Sequence, residues 1–491
     1  MKRILGIFAL VAVSAGTTWA SLSPISVADG PDGDDADWAL PTISGIAEDG
    51  QTLTANPGTS SPPTYQWRRC NDAGVDCVDI VGANAQSYVL TGADIGYTLR
   101  IEVTTSTSSG ESSRLSEPTA VVAPAPPRNT AAPKISGTAR AGLILTATTG
   151  TWNGTQPISY TFLWRRCDLT KLNCKTISGA NAQSYKLTDA DVGSTIRVRA
   201  YATNVAGTAY KPSGATSPVK PPCPVFGAKQ EAGILNFPDA SELSGLASSR
   251  LNPGVLWAHN DSGDTERAFA MTESGAHLGT YVVSAKKQLD WEDMAVGPGP
   301  AAGVSYLYLG AVGANGGRNW IYVYRVPEPQ VSSSQAPVTV PLSSVERLAM
   351  RYPATEEYNA EALMVDPENH DIYVVTKSSD GVSKVFRYPA ADQDPAVTYR
   401  LKLVTTLFLS GPVTAADISP NGREIAIKGY GFSRMWQRLP GDTVDAALGA
   451  TPCKIGHGSG ETLGYSATGN SYFTISEGRF KPLYRFDRAP G

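Results

Sequence analysis

Four glutamates downstream of Cys223 open frames of one kind: ELSGLAS from Glu242, EDMAVGP from Glu292, EALMVDP from Glu361 and ETLGYSA from Glu461, with TAADISP from Thr414 as a fifth. Each frame leads, after a turn, into a second β-rich run: GVLWAHNDSGD, SYLYLGAVGAN, DIYVVTKSS, REIAIKGYG and NSYFTISEG. These runs end at or near Asn260, Asn315, Lys377, Lys428 and Glu477. In an antiparallel pair the start of one strand lies beside the end of the next, so the spacing predicts that these positions share one mouth. Clustered carboxylates cannot all stay ionised unless a cation offsets them. Calcium, a hard ion taking six to eight oxygens, is the natural metal, with Glu242, Asn260, Glu292, Asn315, Glu361 and Glu461 as its expected ligands. Lys377, Lys428 and Glu477 complete the mouth as ligand-binding positions. A metal there could also polarise an ester or phosphate for hydrolysis, with Glu292, Asp293 and His259 as candidate catalytic groups. A third reading closes the mouth with glutamate–lysine pairs alone.

The frames alternate polar and apolar residues with a period of two, the mark of strands facing a core. About four strands in units of roughly fifty residues predict a β-propeller. Five units follow Cys223, while Gln330–Pro341 and Leu439–Lys454 leave room for a sixth. The early segment FGAKQEAGILNFP is expected beside the last strands, sealing the ring, with Cys223 and Cys453 paired near that seam.

Ahead of this head the chain reads as a series of smaller parts. Residues 1–20 carry Lys2 and Arg3, an apolar run and a small-residue end, a secretory leader cut after Ala20. Residues 21–40 form an acidic linker; their DGPDGDDAD lacks the frame of a calcium loop. Two repeats then span 41–122 and 133–219, joined by a proline-rich linker at 123–132, and the head occupies 220–491. Trp67, Cys70, Cys77, Tyr88, Asp94, Gly96 and Arg100 return as Trp164, Cys167, Cys174, Tyr185, Asp191, Gly193 and Arg197. Short alternating strands of this kind predict small β-sandwiches. Cys70–Cys77 and Cys167–Cys174 are expected as local disulfides. Arg68, Arg69, Arg165 and Arg166 are expected to be exposed, on a polyanion-binding face or a charged strand edge. The stretches APAPPR and SPVKPPCP read as semi-rigid spacers. The fold class is therefore all-β: two tandem Ig-like β-sandwiches followed by a β-propeller.

A net charge of −4 argues against nucleic acid as a main partner. The six cysteines suit an oxidising compartment, and beyond the leader no stretch could span a bilayer. There is no G-x-S-x-G elbow, and GANGGR (313–318) lacks the lysine of a P-loop. The repeats resemble bacterial immunoglobulin-like modules of secreted actinobacterial proteins, through W-R-R-C…C…I-x-G-A…S-Y-x-L-T-x-A-D-x-G. That resemblance implies a spacer or adhesion module. Through HNDSGD (259–264), DWED (290–293), NAEAL (359–363) and GETL (460–463), the head resembles secreted phytase-like and esterase-like propellers. It is more loosely similar to the gluconolactonase and paraoxonase propellers, which implies a central metal held by Glu, Asn and Asp; Lys377 and Lys428 depart from such a centre. The expected function is a secreted head that binds or hydrolyses a small ester or phosphate. The other class is a non-catalytic surface protein binding a small-molecule, cell-wall or extracellular ligand.

Overall fold

A computed structural model describes residues 38–107, 110–283, 290–314, 317–458 and 460–489. The leader, most of the acidic linker and Asn315 lie outside these residues. The fold is all-β, and among the described residues the only α-helix is Val444–Leu448. No described helix is long and apolar enough to cross a membrane. The chain divides into two compact units. One runs through Arg128 and takes in Asn153–Ile158 and Thr203–Thr208; the other holds the rest.

Each repeat builds a four-stranded antiparallel sheet around its tryptophan strand, Thr64–Cys70 or Ser159–Cys167, beside a three-stranded sheet. Alternation puts Leu53 and Ala55 from one sheet against Trp67, Leu99, Ile101 and Val103 from the other. Leu145, Ala147, Trp164, Ile196 and Val198 repeat that core. Disulfides Cys70–Cys77 and Cys167–Cys174 close the hairpins next to the tryptophan strands.

The repeated Tyr, Thr, Asp and second Arg form one network. Asp94 is fully buried and accepts from the Thr91 amide and hydroxyl (both 2.8 Å), Tyr88 Oη (3.0 Å) and Arg69 Nε (2.9 Å). Asp191 does the same with Thr188, Tyr185 and Arg166. Arg69 and Arg166 are thus half-buried partners of an aspartate rather than an exposed basic face. Arg68 is likewise committed, to Asp79 and Glu102. Arg165 donates to Cys174 O. For Arg69 and Arg166 the expectation of exposure fails because the partner aspartate lies 25 residues away, in a turn that sequence alone does not fold back.

Burial alone would raise the pKa of Asp94 and Asp191. The threonine amide, the arginine and the tyrosine outweigh it and hold both below the ordinary carboxylate range. A depressed folded pKa adds stability above the unfolded value of about 3.9 and loses it as pH falls through the folded one. Both repeats should therefore keep their melting points down to about pH 4 and weaken below it. Asp94→Ala or Asp191→Ala should cost its own repeat about 2–4 kcal/mol, because the threonine amide and hydroxyl and the tyrosine hydroxyl lose their acceptor and the half-buried guanidinium loses its anion. Differential scanning calorimetry from pH 7 to pH 3 checks both statements; an Asp94→Ala chain with unchanged melting would contradict them.

Among the described residues the C-terminal region forms five sheets. Their first strands are Leu243–Ser248, Met294–Pro298, Ala360–Val365, Val413–Ile418 and Gly464–Tyr465. Each touches the next, and the fifth touches the first. Leu243–Ser248, Ala360–Val365 and Val413–Ile418 are buried along their whole length, as strands covered on both faces must be. In the fifth sheet Gln230–Ile234 pairs antiparallel with Pro482–Asp487. Neither stretch that left room for a sixth unit makes a new sheet. Val338–Leu342 adds in parallel to the outer edge of the first sheet, and 439–454 forms the short helix and the strand Cys453–Lys454 of the fourth.

Cys223–Cys453 is formed, but Cys453 belongs to the fourth sheet, one sheet away from the Gln230–Ile234 pairing. The proline-rich stretch before it is no free spacer. Gln437 Nε2 donates to Pro222 O (2.8 Å), Arg140 Nη1 donates to Pro221 O (3.1 Å) and to Gln437 Oε1, and Lys220 pairs with Asp442. The first linker is also held, by Ala125 N donating to Thr155 Oγ1 (2.9 Å). Proline content predicts stiffness but not that side chains clasp the backbone carbonyls.

Candidate metal centre

Three of the five first strands carry a β-bulge at their second residue, which is Ser244, Glu361 or Thr414. A bulge re-aims one side chain, and here Ser244 meets Glu292, Glu361 meets Lys377 and Thr414 Oγ1 donates to Glu461 O (2.9 Å). Ser244, not Glu242, is therefore the counterpart of Glu361. Glu242 precedes its strand and is exposed. Glu292 comes two residues before Met294–Pro298, with Ser244 Oγ donating to its Oε2 at 3.5 Å.

The carboxylates that converge are Asp261, Asp290 and Glu292, with one oxygen from each inside 4.8 Å of the others. Asp261 directly follows the strand Val255–Asn260, and its amide donates to Glu242 O (2.7 Å). Gly313 makes room for the group: a Cβ there would stand 2.0 Å from Glu292 Oε1 and 2.8 Å from Asp290 Oδ2. Burial and then the charge of Glu361, with Asp261 and Asp290 behind it, push Glu292 far above the ordinary carboxylate range. Burial and neighbouring acids, Asp290 first among them, raise Asp261 to about 6. Concentrated negative charge, hard oxygen donors only and a glycine cradle all fit a divalent cation such as calcium. When bound, such an ion supplies Lewis acidity and open coordination positions for ligand oxygens.

Glu361, Glu461 and Lys428 have partners of their own, although Glu361 also acts on Glu292. Glu361 accepts from Lys377 Nζ (2.9 Å) and Asn359 Nδ2 (3.1 Å). Tyr430 donates to Glu461, and buried Lys428 donates to Gly460 O. Burial lowers Lys428 to about 8, partly opposed by Glu461. Burial and the charge of Glu461 raise exposed Glu477 to about 7. Lys428 is thus too deep to meet a ligand, and Glu461 is occupied by the phenol.

Three further expectations need correcting. Asn260 is no metal ligand, because its Oδ1 accepts the amides of Ser241 and Glu242 (both 3.2 Å) and its Nδ2 donates to Asp239 O and Asp264 Oδ2 (both 2.7 Å). Asp293 has no exposed surface; it accepts from Met294 N (2.9 Å), Leu363 N (2.9 Å) and Ala416 N (3.1 Å), so no substrate reaches it. His259 is also fully buried, and burial lowers its pKa, keeping the ring neutral. Asp261 and Asp290 were within the HNDSGD and DWED motifs, but both sit outside the strands, where a count of strand positions does not look.

No family model matches this chain, and no curated protein does. Among solved structures, "Structure of U3-55K" aligns at a TM-score of 0.28 and 13% identity, over 60% of this chain and 91% of that one.

Proposed function

We propose that this chain is a secreted protein in which two Ig-like sandwiches precede a five-bladed β-propeller, and that the propeller mouth binds a divalent cation, calcium by donor chemistry. The cycle of contacts among five first strands supports the propeller, and three disulfides fit an oxidising compartment. The observation that carries the cation reading is the meeting of Asp261, Asp290 and Glu292 around the Gly313 cradle. Among the described residues Lys377 pairs with Glu361 and Tyr430 donates to Glu461, whereas Asp261, Asp290 and Glu292 make no salt bridge, and the positive charge of Arg318 reaches Asp290 and Glu292 only from a distance. The cation would use its open positions to hold a small ligand at the rim. Binding is favoured over hydrolysis because two of the three candidate catalytic groups, Asp293 and His259, are sealed in the interior.

Calcium at about a hundred times its dissociation constant should stabilise the C-terminal region by about 2.7 kcal/mol. A chelator should reverse this, and Asp290→Asn should abolish it. Calorimetry of the full chain with calcium, magnesium or chelator reads the result. A melting point indifferent to all three would leave the mouth a self-contained polar cluster and end the proposal.

A further inference from the structure

The motifs HNDSGD and DWED bring their carboxylates from two neighbouring sheets, so something must fix the distance between them. His259 lies two residues before Asp261, and Trp291 lies between Asp290 and Glu292. The two rings meet edge to face, with centroids 5.2 Å apart and planes at 76°. His259 Nδ1 lies 2.9 Å from Asn260 O, which ties the ring to its own strand end. Its other face covers Gly245 on the adjacent strand. A Cβ at Gly245 would stand 2.4 Å from Nε2, 2.8 Å from Cδ2 and 2.9 Å from Cε1, so the ring occupies the space a side chain would fill. Asn260 is clamped by Asp239 and Asp264, and Asp261 follows from that fixed point.

Resting on the cation reading above, we propose that Gly245, His259 and Trp291 are positioning residues: the imidazole, seated on glycine and abutting the indole, sets the separation between Asp261 and the Asp290–Glu292 pair. None of the three is a ligand. Core packing alone would account for two touching rings. It would not require that the ring displace a neighbouring side chain altogether, directly beside residues that must hold a metal-sized gap. Groups that orient metal ligands typically change affinity by 10–100-fold when altered.

The test measures calcium affinity by titration calorimetry, and terbium emission excited through tryptophan, on the full-length chain. His259→Ala and Gly245→Ala should each weaken calcium binding by about 10–100-fold and dim the terbium signal. His259→Phe, which keeps a flat ring of similar size, should recover most of the affinity. Melting points without calcium are read in parallel, so that affinity is compared among variants of similar stability. If His259→Ala and Gly245→Ala bind calcium as the unaltered chain does, the positioning role is overturned while the cation site stands. If His259→Phe is as weak as His259→Ala, shape is not what the ring supplies and the inference also falls. If the unaltered chain binds neither calcium nor terbium, the cation reading itself fails and takes this one with it.

Discussion

Asp293→Ala should prevent the C-terminal region from folding cooperatively. Its carboxylate is the acceptor for Leu363 N, 70 residues on, and Ala416 N, 123 residues on, besides its neighbour Met294 N. One side chain therefore ties the first strands of the second, third and fourth sheets together in a dry interior. Each amide left without an acceptor costs about 1–3 kcal/mol, and three together approach the roughly 5–15 kcal/mol that holds a whole domain. Asp293→Asn should be milder, since one oxygen still accepts while the new NH2 faces an amide. Near-UV circular dichroism against temperature distinguishes the cases. A single sharp transition at the original temperature in Asp293→Ala would show that these bonds are dispensable.

The second large effect is expected at Cys223–Cys453. The bond closes a separation of 230 residues, and the chain-entropy estimate for so long a loop is on the order of 5 kcal/mol, with native strain able to lower it. It also pins the clasped proline stretch to the fourth sheet. Replacing both cysteines with serine should lower the melting point of the five-sheet region by roughly 10 °C and leave Cys70–Cys77 and its repeat as they were. Loss of the transition assigned to the first repeat instead would mean that the bond acts elsewhere.

Periodicity made the inner strands legible, because a strand buried on both faces leaves few ways to write its sequence. The repeats were legible through Trp67 and Trp164 and the equal cysteine spacings. Register was not. A bulge inserts one residue without altering composition, so Glu242 looked equivalent to Glu361 although Ser244 holds that place. Chemistry was misread for the same reason at Asp293: one position from Glu292, it turns inward and serves three backbone amides. Lys377 and Glu361 were each read as facing the mouth, but that they neutralise one another depends on a 2.9 Å contact no spacing encodes. Asp261 and Asp290 were missed because loop residues have no periodicity to place them.

The pairing of Gln230 with Arg485 has a consequence for how the molecule is made. The strand that completes the fifth sheet is synthesised before any of the others in this region, and its partner after all of them. During translation Gln230–Ile234 must wait with an open edge until Pro482–Asp487 leaves the ribosome. Contacts this distant in sequence slow folding, and unpaired edges left open meanwhile invite association with other chains. Completion of the fifth sheet is therefore set by Pro482–Asp487, however early the other four sheets have formed.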